Sequence, residues 1–367
     1  MKTTKLLLTL ILLSAFQFFC FGQDELPKNE PDTVSLIFIG DVMQHSRQIK
    51  AAYIGGDTLS SSSYNYSTYF KYIQKYIDKA DYTVANMEFT LDNLPYSGYP
   101  CFSCPSSLVK EGQKSGIDLF LCANNHLGDR GSRGIKNTIE TLEELGAEFT
   151  GLYRNSDEEI EKSPFIVNIK GMKIAFINLT YVSNVPIPAP YVMDGFEIEA
   201  IKSKVTRAKA QGAELIIALP HWGVEYSLQP SQWQIKWRDI LFENGINYII
   251  GAHPHVLQPV EVGYKPNEDI ESIVAYSLGN YISNQYMKNC QLGMLFQLNL
   301  TRNQDNSIKV GYDYEYLWCA RMGDIEKNFT TIPLVDFLDK KEAFLKGYEY
   351  EKMKATYERV RGIINLP

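Results

Sequence analysis

The chain has 367 residues, enough for one large domain or two ordinary ones with an ample core. Its content of 45% hydrophobic and 22% charged residues excludes a disordered chain, and past the N-terminus no apolar run approaches the roughly 18 to 20 residues that span a bilayer. A net charge of −7 argues against nucleic acid, or any extended polyanion gripped by surface charge, as a partner, so an anionic substrate has to be held through a bound cation.

At the N-terminus Lys2 and Lys5 precede the apolar run Leu6–Phe21, and a polar stretch starting at Gln23 follows. This is the pattern of a secretory signal peptide over residues 1–22, with cleavage after Gly22. It implies export across the inner membrane to the periplasm or cell envelope. The rival is a lipoprotein anchored through Cys20, the one route to peripheral membrane association, but Gln17-Phe18-Phe19 lacks the small residue that usually precedes a lipidated cysteine. Loss of Lys2 and Lys5 takes the net charge from −7 to −9. Residues 23–33 form a polar linker without periodicity, and a single domain is expected over 34–367.

Strands and helices then alternate, which points to an α/β architecture. Ser35–Ile39 is a strand, Tyr69–Lys79 an amphipathic helix, Tyr82–Ala85 a second strand and Gly116–Cys122 a third. Ile135, Ile139, Leu142 and Leu145 have helical spacing, closed by Gly146. Phe165–Ile169 and Lys173–Asn178 flank a Lys170-Gly171-Met172 turn as a hairpin. A helix over Glu199–Gln211 leads into a strand at Leu215, and a helix with Ser231 as N-cap and Gly245 as stop leads into one at Tyr248. Antiparallel strands are expected at Gln258–Val262, Ile273–Ser277, Gly293–Leu300 and Ile308–Leu317, and a closing helix from Phe337 to about Ile363.

Five cysteines remain after the leader. Cys101-Phe-Ser-Cys104 has the spacing of a small disulfide loop, though an odd total leaves at least one thiol unpaired. Cys122 belongs to an apolar strand and reads as a packed thiol.

All five histidines, His45, His126, His221, His253 and His255, sit in short polar motifs that follow apolar runs. A divalent transition metal needs imidazole nitrogens and carboxylate oxygens converging from different strands, because one strand cannot wrap around an ion. Asp41, Glu88, Asn125, His221, His253 and His255 supply such a set. His45, four residues past Asp41, is either a further ligand or a solvated loop histidine. For His126 two roles are open: proton donor to a leaving group, or a support that orients Asn125 or a carboxylate. Asn124, Glu225 and Asn280 are candidates to touch substrate or to hold a ligand in place.

The ordered motifs Ile39-Gly-Asp-Val-Met43, Asn86-Met-Glu88, Ala123-Asn-Asn-His126, His221-Trp-Gly-Val-Glu-Tyr226, Gly251-Ala-His-Pro-His255 and Tyr276-Ser-Leu-Gly-Asn-Tyr281 resemble those of the CapA-like capsule-biosynthesis family, named for poly-γ-glutamate capsule. They span residues 35–281, and the family in turn resembles the calcineurin-like metallophosphatases. The resemblance implies a four-layer α-β-β-α sandwich binding one or two divalent ions, with manganese, zinc or iron as candidates. Glu88 would bridge two ions. Asp41 and His255, with His45 as a possible fourth ligand, would complete one, and Asn125, His221 and His253 the other. His126 would be the proton donor. Departures from the phosphatase pattern are the three residues between Asp41 and His45, glutamate in place of aspartate at 88, and Leu127 where an acid follows the Asn-His pair.

Two functions follow from the resemblance. One is a metal-dependent hydrolase of the envelope acting on a phosphoester or a γ-glutamyl or other amide bond. The other is a non-catalytic, metal-containing factor for assembly or export of an anionic surface polymer.

Overall fold

The computed structural model describes residues 32–92 and 95–364. The leader, Cys20 and nearly all of the 23–33 linker lie outside the described residues. In chain order the strands are β1 (Thr33–Val42), β2 (Tyr82–Met87), β3 (Leu119–Leu121), β4 (Glu148–Thr150), β5 (Leu152–Tyr153), β6 (Phe165–Ile169), β7 (Met172–Thr180) and β8 (Val192–Met193). They continue as β9 (Leu215–His221), β10 (Tyr248–Ile250), β11 (Val260–Tyr264), β12 (Ile270–Ala275), β13 (Asn280–Ile282), β14 (Leu292–Arg302), β15 (Ile308–Ala320) and β16 (Thr330–Pro333). The α-helices are α1 (Ser46–Ala52), α2 (Gln74–Ile77), α3 (Ser107–Lys114), α4 (Gly131–Glu144), α5 (Ser156–Lys162), α6 (Ile198–Ala210), α7 (Gln232–Glu243) and α8 (Gly347–Arg361).

One sheet has the order β16-β15-β14-β1-β2-β3-β4, with β13 also pairing β1, and the other the order β11-β12-β10-β9-β7-β6. Their inner faces share one core. Leu36 and Phe38 of β1 and Val84 of β2 meet Ile174 and Phe176 of β7 and Ile217 and Leu219 of β9, and the Phe38 and Phe176 rings are 6.4 Å apart at 70°. The alternate residues point outward and are buried as well, as expected for strands covered on both faces. Ile37 and Ile39 pack under Ile135, Ile139 and Leu142 of α4, and Ile177, Ile216 and Ala218 under Ile201, Val205 and Ala208 of α6. The result is a four-layer α-β-β-α sandwich, the fold class expected.

The capping box of α7 is in place, with Ser231 Oγ accepting the Gln234 N–H and Gln234 Oε1 accepting the Ser231 N–H. Several expected boundaries shift for physical reasons. The helix expected over 69–79 is reduced to α2, because the Tyr69 carbonyl leaves the helical ladder to accept the Tyr281 hydroxyl at 2.7 Å. Phe70 and Ile73 are buried on single-turn bonds instead: Ile73 N–H reaches Phe70 O at 3.1 Å. The closing helix starts at Gly347 rather than Phe337, after two short 3₁₀ turns. The third strand shrinks to β3 because α3 runs to Lys114, with Ser115 as its C-cap, and Gly116 turns at φ 95 before it.

Cys101 and Cys104 form no disulfide, and all five described cysteines are free thiols. The loop that holds them is closed by backbone instead, Ser97 and Ser103 exchanging two N–H···O bonds of 2.9 Å.

Candidate metal centre

The cluster is assembled where strands of both sheets end. Asp41 stands opposite Asn86 on β2 and opposite Asn280 on β13, so three polar side chains form a row across adjacent strands. Gly40 makes the row possible. A β-carbon there would lie 1.9 Å from the Gly279 carbonyl, and the β1–β2 register slips at this point, re-aiming Asp41. Glu88 follows β2, Asn125 follows β3, His221 ends β9, and His253 and His255 follow β10. The last two hold left-handed backbone, φ 96 and φ 59. Such strain in non-glycine residues persists only where surroundings enforce it, and it gathers at sites of function.

Contacts within the cluster are short and the groups are buried. His221 Nε2 lies 2.9 Å from Asn125 Oδ1, 3.0 Å from His253 Nδ1 and 3.8 Å from Glu88 Oε1. His255 Nδ1 lies 2.9 Å from Asp41 Oδ2 and 3.1 Å from Asn280 Oδ1, two acceptors that assign the proton to Nδ1 and turn Nε2 toward Glu88 Oε1 at 3.5 Å. Asn86 Nδ2 donates to Asp41 Oδ1 at 2.8 Å and sits 3.2 Å from His221 Nδ1, tying the two halves together. Of three overlapping groups, two are fully buried and share Glu88, Glu88 with His221 and His253 and Glu88 with Asp41 and His255, and the third joins exposed Glu225 to His253 and His255.

Glu88 is fully buried, and neither of its carboxylate oxygens accepts a hydrogen bond. Burial, then the neighbouring Asp41, pushes its carboxyl well above the ordinary range. Burial first, and the other imidazoles second, hold His221 and His253 well below the ordinary histidine value, which keeps their nitrogens neutral and available as ligands. An orphaned buried carboxylate between neutral imidazoles and an amide oxygen is a donor set that suits a divalent transition metal. The residues present therefore fit the group expected from the sequence.

The other expected residues fall into distinct places. His45 does not join either ligand set: Val42–Gln44 carry it to the N-cap of α1, where Nδ1 sits 3.1 Å from Gln48 Oε1 and 3.3 Å from the Asn284 N–H. Burial, countered in part by Gln48, holds its pKa at about 4. Asn124 braces the turn after β3, donating to Met87 O at 2.8 Å and accepting the His126 N–H at 3.1 Å. Glu225 is exposed yet within ligand distance of His253 and His255. Asn280 bonds His255 through Oδ1, while its Nδ2 reaches His255 O, Gln285 Oε1 and Cys290 O at 3.3, 2.9 and 3.0 Å.

Sequence reasoning missed Asp129, whose Oδ2 lies 2.9 Å from His126 Nδ1. The chain turns once after His126, with the Asp129 N–H 3.2 Å from His126 O, which brings the carboxylate back to the ring. Tyr181 was missed too: its hydroxyl lies 3.2 Å from His253 Nε2.

A cleft of about 590 Å³ opens beside the cluster, with His126, His255 and His45 in its floor. One wall is the 284–287 segment, buttressed from the C-terminal part of the chain. The Arg321 guanidinium bonds Gln285 O and lies 4.5 Å from the Tyr286 ring centroid, and Arg359 of α8 donates to Asn289 Oδ1 at 2.7 and 3.1 Å.

The chain thus combines a four-layer α-β-β-α sandwich with a carboxylate, imidazole and amide cluster at its strand ends. The chain belongs to the bacterial capsule synthesis protein family PGA_cap, whose model matches residues 35–285. It is 27% identical to the capsule biosynthesis protein CapA of Bacillus anthracis over 75% of this chain and 66% of that protein, just under two thirds of the relative's length. It is 26% identical to the PGA biosynthesis protein CapA of Bacillus subtilis over 84% of this chain and 80% of that one. Among solved structures it is similar to the calcineurin-like phosphoesterase YfkN of Bacillus subtilis, at 18% identity and a TM-score of 0.46, covering 90% of this chain and 100% of that one.

Proposed function

We propose that this protein is a metal-dependent hydrolase of the cell envelope, acting on a phosphoester or on a γ-glutamyl or other amide bond during synthesis of a surface polymer. The observation that carries this reading is Glu88, a fully buried carboxylate with both oxygens unpartnered and two imidazole groups facing it. An unpartnered carboxylate in the interior is costly, and a bound cation would compensate that cost. The envelope location rests on the leader-like pattern of Lys2, Lys5 and the apolar run behind them. Among the described residues, no helix is long and apolar enough to cross a membrane.

Divalent cations held by Glu88, Asp41, His255, His221, His253 and Asn125 would supply Lewis acidity at an ester or amide oxygen. The chain's own residues do the rest. Asn86 and Asn280 fix the orientation of Asp41, His221 and His255, so the ligands are pre-aligned. His126 lies in the cleft floor with Nδ1 on Asp129, which leaves Nε2 to hold a proton for the departing group.

The test is elemental analysis of protein purified without chelators, followed by assay on phosphodiesters and γ-glutamyl peptides with manganese or zinc. Bound metal and hydrolysis that disappears in His221→Ala support the proposal. Bound metal with no turnover on a broad panel would instead favour a non-catalytic assembly or export factor that holds an anionic polymer through its cations.

A further inference from the structure

Resting on the hydrolase reading, we infer that the cleft beside the metal centre is a saccharide-binding groove, so that the substrate presents sugar rings to the walls and one anionic ester to the cluster. The first observation is electrostatic. Asp129 and Glu225 line the cleft, and among the described residues no lysine or arginine lines it. A polymer that carries a carboxylate on every unit would meet like charge at Glu225 and, apart from the metal centre, would find cationic side chains only behind Tyr286, where Arg47 and Arg321 are engaged with its hydroxyl and ring.

The second observation is the balance of donors and acceptors. Glu225 presents an exposed carboxylate to the cleft, while Asp129 is turned to His126 and Phe102, and Asn284 lines the wall with an Oδ1 that accepts no hydrogen bond in the structure. An exposed acceptor beside the cation site suits a ligand that brings donors. Sugar hydroxyls are donors, whereas ionised carboxylates accept only.

The third is the disposition of aromatic rings. Tyr99 and Tyr286 line the mouth, 72% and 68% exposed, and Tyr226 lies deeper with its ring 6.1 Å from that of His255. Large exposed rings at a polar cleft call for a partner. Tyr286 is already fixed for that use. Arg321 lies over its ring, and its hydroxyl accepts from Asn284 Nδ2 at 3.1 Å and Arg47 Nη1 at 3.4 Å, so little ordering is left to lose when a flat sugar face settles on it. Tyr226 is held in left-handed backbone, φ 66, by its N–H to Pro254 O at 2.8 Å. Stacked platforms and hydroxyl acceptors leading to a cation site describe a groove for a glycan bearing a phosphoester.

The experiment titrates full-length, metal-loaded protein calorimetrically with neutral oligosaccharides of glucose, N-acetylglucosamine, galactose and mannose, with an oligomer of γ-linked glutamate, and with AMP. The expected result is saccharide binding that survives raised salt and weakens at least ten-fold in both Tyr99→Ala and Tyr286→Ala, with metal content and melting temperature unchanged in both. No saccharide bound by metal-loaded protein overturns the inference. So does salt-sensitive preference for the γ-glutamate oligomer, binding confined to AMP, or saccharide binding indifferent to both substitutions. Protein that holds no metal, or shows no His221-dependent hydrolysis on any substrate, defeats the hydrolase reading instead, and the two failures are told apart by the metal analysis.

Discussion

One oxygen of Asp129 serves two partners: Oδ2 lies 2.9 Å from His126 Nδ1 and accepts the Phe102 N–H at 2.8 Å. The carboxylate thereby fixes both the imidazole and the loop whose phenyl ring packs edge-on against it, 4.6 Å between centroids. If His126 protonates the leaving group, its importance depends on how much that group needs a proton. His126→Ala should lower kcat for an alkyl phosphoester about 10²- to 10⁴-fold and for a p-nitrophenyl ester much less. Asp129→Asn should fall about 10- to 100-fold on the alkyl ester, with metal content unchanged. Equal losses on both esters would remove His126 from the proton-donor role.

Glu88→Gln should invert the effect of metal on stability. In chelator at neutral pH the variant should be more stable than the parent by about 1–3 kcal/mol, because an unpartnered buried carboxylate is gone. With manganese or zinc added, the parent's melting temperature should rise and the variant's should barely move. Denaturant unfolding with and without metal checks both halves.

His45 should be a source of acid sensitivity. Its pKa is about 4 in the fold against an ordinary 6.5, so above pH 6.5 it contributes nothing to pH dependence. Between 6.5 and about 4 the unfolded chain takes up a proton that the folded one refuses, so stability falls as pH drops, by about 3 kcal/mol in all. Below that both states are protonated and the loss stops. His45→Gln should flatten this part of the curve, and a variant with the same acid profile as the parent would refute the assignment.

Asn280→Ala should weaken metal binding about 10- to 100-fold and cost about 1–3 kcal/mol of stability, since it removes one of the two acceptors on His255 Nδ1, leaving Asp41 Oδ2, and takes its donor from His255 O, Gln285 Oε1 and Cys290 O. Competition with a chelator of known affinity measures the first effect and urea unfolding the second. Loss of stability without loss of metal affinity would make Asn280 a packing residue alone.

Much of this architecture was legible in the sequence because the strands are short apolar runs that end in polar motifs. Leu36 and Phe38 against Ile37 and Ile39 show why a doubly covered strand reads as continuous apolar sequence, and α4 announced itself through Ile135, Ile139 and Leu142. What escaped depends on contacts far apart in the chain. Tyr69 has helical spacing, but the Tyr281 hydroxyl, 212 positions away, claims its carbonyl. Cys101 and Cys104 have disulfide spacing, but the Ser97–Ser103 backbone pair already closes their loop. In the site, the motif order brought out Asp41, Glu88, Asn125, His221, His253 and His255, since each lies at a strand end. Asp129 carried only the weak signal of an acid three residues after a histidine. The offset of His45 was visible, but its consequence, a place at a helix N-cap away from both ligand sets, needed the path of residues 42–44.

Arg321 and Arg359 lie beyond residue 285, where the shared family region stops, yet they support the wall formed by Gln285, Tyr286 and Asn289. The same C-terminal part of the chain supplies β14, paired residue for residue along β1, and α8, whose Tyr350, Met353 and Val360 enter the core between the sheets. One bank of the cleft is therefore tied mechanically to the strand that carries Asp41, and a change that loosens α8 is felt at the cleft as well as at the end of the chain.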